Sequence, residues 1–118
     1  MEITSQELSH AELITVKGRV DSVEAVRFEE ALRAANHRGN YRLVIDMSQL
    51  EYMSSAGFRA LAAAQRNNQR HPHGELVFSG VPAHIHEALE MVGFTDYFKI
   101  IDPLAAAVKY AENSPAPS

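Results

Sequence analysis

The sequence predicts an α/β domain with a small, mostly parallel sheet, one antiparallel strand and helices packed along it. Three observations carry this. Short apolar runs alternate with segments of helical periodicity along nearly the whole chain. One run, Leu43-Val44-Ile45, sets three branched apolar residues side by side, as in a strand covered on both faces. The length, 118 residues, suits one hydrophobic core and leaves little room for a second.

The elements follow in order. Residues 1–8 and 11–20 read as two strands, the second carrying Leu13, Ile14, Val16 and Val20 among polar residues. Ser9-His10 between them can turn, which makes the pair an antiparallel hairpin. Asp21 stands three residues before Glu24, the spacing of a capping box. The helix it opens places Ala25, Phe28, Leu32 and Ala35 on one face and stops at Gly39. Residues 42–46 form the covered strand. A second helix is predicted over 55–70, with Phe58, Leu61, Ala62 and Gln65 on one stripe and Arg59, Ala63, Arg66 and Arg70 on another. A strand at 76–78, a helix at 84–91 closed by Gly93, and a strand at 97–101 come next. Asp102-Pro103 begins a last helix, with proline at its first position, that runs to about Ala111. The domain is therefore 1–111, followed by a tail, 112–118, of disorder-prone composition.

Composition narrows the function. Fifteen acidic against eleven basic residues give a net charge of −4, which provides no basic footprint for nucleic acid. The chain has no cysteine, which excludes a disulfide scaffold, a thiol nucleophile and an iron–sulfur site. No apolar run approaches the roughly 20 residues that cross a bilayer, and no secretory signal opens the chain, so a cytoplasmic protein without membrane insertion is expected. Phosphate-loop, dinucleotide, nucleophile-elbow and zinc-protease motifs are missing, which points away from an enzyme. Two H-x-H pairs, His71/His73 and His84/His86, have a spacing at which imidazoles can bind zinc or nickel. The first flanks Pro72 in a predicted loop, and the second opens a helix on which alternate residues diverge. No nearby carboxylate completes a site, so they read as solvated histidines and no metal or cofactor is expected.

The informative stretch is 46–58, which joins a strand to a helix and is dense in hydroxyls. Ser54 or Ser55 would cap the helix, and Asp46 and Ser48 would bond the turn. A serine there also sits among free N–H groups at the positive end of the helix dipole, where a phosphate is tolerated.

The string Asp46-x-Ser48-x-x-x-Tyr52-Met53-Ser54-Ser55-Ala56-Gly57 resembles the signature of the STAS domain, the family of anti-anti-sigma factors or anti-sigma factor antagonists. Gly18-Arg19-Val20-Asp21 resembles the family's turn before its first helix. Leu89 to Phe94 resembles its late L-x-x-hydrophobic-G element, and the likeness spans residues 1 to about 111. The resemblance implies a STAS-type fold and a protein-binding switch. It implies Ser55, two residues before Gly57, as the serine phosphorylated by a partner anti-sigma factor, a serine kinase of the histidine-kinase-like ATPase type. A metal-dependent Ser/Thr phosphatase would reset the switch. Ser54 stands where many members have Asp, and Ala56 where many have Ser or Thr, so Ser54 is a second acceptor candidate. The expected partner surface is Asp21, Ser54, Ser55, Gly57, Arg59 and Arg66. The alternative implied by the same fold is a non-phosphorylated STAS subunit of a bacterial lipid-transport ABC or stress-signalling complex.

Overall fold

The computed structural model describes residues 1–113. The chain runs β1 (Glu2–Glu7), β2 (Glu12–Val20), α1 (Glu24–His37), β3 (Arg42–Met53), α2 (Ser55–Asn68), β4 (Glu75–Ser79), α3 (Ala83–Met91), β5 (Lys99–Ile100) and α4 (Leu104–Glu112). The five strands form one sheet in sequence order. β1 pairs antiparallel with β2, and every other neighbouring pair is parallel. Ser9-His10 makes the hairpin turn, closed by the Leu8 N–H on the Ala11 carbonyl at 2.8 Å.

Strand side chains alternate between the two faces of the sheet. Leu43, Ile45, Leu76 and Phe78 point to one face, where Phe28 and Leu32 of α1, Leu61 of α2 and Leu89 of α3 meet them. Val44 and Val77 point to the other, beneath Ala107 and Ala111 of α4. The central strands are thus covered on both sides, as their unbroken apolar run predicts.

Three elements depart from the sequence expectation. β3 does not stop at residue 46 but continues to Met53 alongside β2, with register shifts between Thr15 and Lys17 and between Gly18 and Arg19. Those irregularities break the two-residue alternation, so Met47, Leu50 and Met53 are buried at intervals of three and the stretch reads as a loop. The last strand is two residues, Lys99–Ile100, rather than 97–101, because the Tyr97 N–H turns back to the Phe94 carbonyl. Pro103 precedes the last helix rather than filling its first position. That helix also extends through Glu112, whose carboxylate accepts the backbone N–H groups of Ser9 and His10 at 3.3 and 3.2 Å. The rest of the predicted tail, 114–118, lies outside the described residues.

Two buried polar groups brace the frame. Glu12, at the start of β2, is fully buried and accepts from Arg38 Nε at 3.1 Å and Asn40 Nδ2 at 2.8 Å. Gln65 on α2 donates to the Tyr97 carbonyl and accepts from the Leu76 N–H, at 2.8 and 2.7 Å.

Candidate functional site

The hydroxyl-rich segment emerges where β2 and β3 end together. The Ser54 N–H donates to the Val20 carbonyl at 2.8 Å, which sets Asp21, the next residue on β2's side, beside the start of α2. Asp21 Oδ1 accepts the Glu24 N–H at 2.8 Å, so it caps the start of α1 as its spacing predicts. The return half of the box is not made, because Glu24 instead binds Arg27 at 2.7 Å. The N-termini of α1 and α2 therefore open onto the same end of the molecule.

The two serines divide the work there. Ser54 is the cap: it is buried, its backbone is extended, and its Oγ accepts the Gly57 N–H at 3.3 Å. Ser55 is the first helical residue and is exposed. Its hydroxyl makes no hydrogen bond to any other described residue. It also sits where the first-turn N–H groups lack helical partners.

Gly57 is buried. A Cβ at this position would meet Met53 Cγ at 2.5 Å and Val20 Cγ1 at 3.3 Å. Its place is in the packing under the site, where it lets α2 lie close on the ends of β2 and β3. Arg59 and Arg66 are exposed on α2. Arg59 borders a shallow groove between α1 and α2, together with Ser22, Val26, Glu29 and Ala56. Arg66 lies two turns further along and does not line that groove. On the other flank Arg19 stacks over the Tyr52 ring at 4.5 Å. His84 donates Nε2–H to the Glu51 carbonyl at 2.7 Å, tying the start of α3 to the same end of β3.

Among the described residues no group of three or more His, Asp or Glu side chains is gathered as metal ligands would be. His71 stacks on Tyr41 at 3.5 Å, and His86 lies 2.9 Å from Glu90 on its own helix. No helix among the described residues is long and apolar enough to cross a membrane.

The family model described as "Mlab, STAS domain" matches residues 3–102 of the chain. The chain belongs to the STAS domain family. Its STAS domain is 31% identical over 107 residues to the anti-sigma factor antagonist BtrV of Bordetella bronchiseptica, covering 91% of each chain. It is 27% identical over 100 residues to the anti-sigma-B factor antagonist of Listeria monocytogenes, covering 85% of this chain and 86% of the relative. Among solved structures it is similar to the Bacillus antagonist SpoIIAA at 12% identity. The unphosphorylated form matches with a TM-score of 0.77, over 96% of this chain and all of that one. The phosphorylated form matches with a TM-score of 0.72, over 92% and 99%. The five-stranded mixed sheet with four helices is thus the STAS fold.

Sequence reasoning locates this end of the molecule but misses two things about it. It leaves open which of Ser54 and Ser55 caps α2, since adjacent hydroxyls are equivalent as caps until the helix start is fixed. It also does not show that Gly57 is buried, although a glycine three residues after a cap and four after a methionine is the available signal.

Proposed function

We propose that this STAS domain is an anti-sigma factor antagonist acting as a partner switch, with Ser55 as its phosphoacceptor. Unmodified, it binds an anti-sigma factor in the cytoplasm and frees a sigma factor for transcription. The anti-sigma factor is itself the kinase, of the histidine-kinase-like ATPase type, and a Ser/Thr phosphatase restores the unmodified state. The domain's part is to be bound and modified, not to catalyse. Its contact face comprises Asp21, Ser55 and Arg59, with Arg66 further along α2 and the Ser54–Gly57 turn holding Ser55 in place.

One observation supports Ser55 over Ser54. Ser54 Oγ is buried and occupied as a cap, whereas Ser55 stands exposed at the first position of α2. A kinase needs a reachable hydroxyl, and taking Ser54 would dismantle the cap. Phosphate adds about −1.5 to −2 charges at Ser55. Desolvating that dianion inside a packed contact is costly when the partner has no site to receive it, so the complex separates. The names of the relatives support the antagonist role, and SpoIIAA's two solved forms support phosphorylation as the switch.

The test is incubation with ATP and the kinase recovered by pull-down, followed by mass mapping. Wild type and Ser54→Ala should take up one phosphate at residue 55, and Ser55→Ala none. Uptake that persists in Ser55→Ala and disappears in Ser54→Ala would move the switch to Ser54. A second reading is favoured by the matching family model, whose description is Mlab rather than antagonist. On that reading the domain is a non-phosphorylated subunit of a lipid-transport ABC or stress-signalling complex. A pull-down that returns a transporter nucleotide-binding subunit, with no phosphate on either serine, would select it.

A further inference from the structure

Four residues separate Ser55 from Arg59 on α2, so the two side chains lie one above the other on the same helix face. Helical side chains lean toward the helix N-terminus, which carries the Arg59 side chain over the turn where Ser55 sits. An anion N-terminal to a cation at this spacing is the favourable order.

Among the described residues the neighbouring cations are occupied and Arg59 is not. Arg27 is paired with Glu24 at 2.7 Å, Arg33 with Glu29 at 2.8 Å, and Arg19 lies over the Tyr52 ring. Arg59 is exposed and makes no ion pair or side-chain hydrogen bond among the described residues. The first turn of α2 contains no acidic residue to compete for it. Glu29, the acid that shares its groove, already holds Arg33.

We propose that Arg59 is the built-in counter-ion of phosphorylated Ser55, so that modification withdraws into α2 the cation that the unmodified face offers to its partner. The inference rests on Ser55 being the phosphoacceptor. A guanidinium presents a planar fork of donors that fits two phosphate oxygens at once. The dipole and free N–H groups of the α2 N-terminus favour the same charge. Phosphorylation therefore reinforces the start of α2 rather than melting it. Release of the partner follows from two electrostatic changes on a rigid surface: a dianion appears, and the adjacent cation is consumed.

Phosphoserine incorporated co-translationally at position 55 makes the test independent of any kinase. The phosphate's second ionisation is then followed by ³¹P NMR. It should fall about half a pH unit lower in wild type than in Arg59→Ala. Arg59→Lys should lie between the two, and the gap should shrink in roughly 1 M salt. The phosphorylated wild type should also melt higher than its unmodified form, by more than the same pair in Arg59→Ala. Superimposable titrations for wild type and Arg59→Ala would overturn the pairing. Failure of a kinase to modify Ser55 would instead sink the reading on which the inference rests, leaving the titration result intact.

Discussion

Ser54 and Ser55 are chemically identical and one residue apart, yet the fold gives them opposite environments. Ser54→Ala removes the oxygen that accepts the Gly57 N–H, in a buried position. It should cost about 0.5–2 kcal/mol, read as a lower urea midpoint with an unchanged slope. Ser55→Ala removes an exposed hydroxyl with no hydrogen-bond partner among the described residues and should stay within roughly 0.5 kcal/mol of wild type. Equal losses in the two variants would mean that the capping role is shared. Gly57 sits on the same turn. Gly57→Ala gains helix propensity of at most about 1 kcal/mol. Against that, its new methyl collides with Met53 Cγ, close to the backbone of a buried strand end. Overpacking of this kind costs about 1–3 kcal/mol, so a net loss is expected. Adding Met53→Ala opens the space, and the second substitution should then cost less in the Gly57→Ala background than in wild type. Strictly additive losses in that double-mutant cycle would show that the two residues do not collide.

At the scale of elements, the long β3 strand does most to shape the site. Residues 43–46 pair on both sides, with β2 and β4, while its last residues follow β2 alone. The register shifts carry Met53 and Ser54 to the point where α2 must begin. Asp46 Oδ1 takes the Ser48 N–H at 3.0 Å in this irregular stretch, which absorbs two of the polar residues of the signature into the strand itself. The start of β2 is locked by Glu12. Burial alone would raise its carboxyl, but the hydrogen bonds from Arg38 and Asn40 and the Arg38 charge hold it below its ordinary value of 4.5. A carboxyl lowered in the folded state contributes stability that is complete above that ordinary value and is lost as pH falls through the lower, folded one. Wild type should therefore lose stability steadily below about pH 4.5, and Glu12→Gln should show a flatter acid limb in urea unfolding. Parallel acid limbs would exclude Glu12 as a contributor. None of this lock is legible in the sequence. Glu12, Arg38 and Asn40 are 26 and 28 positions apart, and nothing local distinguishes Glu12 from a surface acid on an alternating strand.

At the scale of the whole molecule, the sheet has two unequal sides. Three helices cover the face that bears the larger core, and α4 alone covers Val44 and Val77 on the other. A chain ending at Pro103 would uncover both valines and also the Arg42 guanidinium, which lies 4.6 Å from the centre of the Tyr110 ring on α4. The expected loss is about 3–6 kcal/mol from the two valines alone, enough to make unfolding incomplete in cooperativity or the chain insoluble. A shortened chain with an unchanged melting temperature would show that α4 is dispensable. By itself the sequence determined the element order, the hairpin, the covered strands, the helix caps at Asp21 and Gly39, and the turn that bears the serines. These depend on local spacing and periodicity, which neighbouring residues carry among themselves. Tertiary structure alone decided how far β3 extends, which serine is buried, why Gly57 has no side chain, and how Glu12 is neutralised. Each of these depends on atoms that meet only after distant segments pack, so no local pattern can encode them.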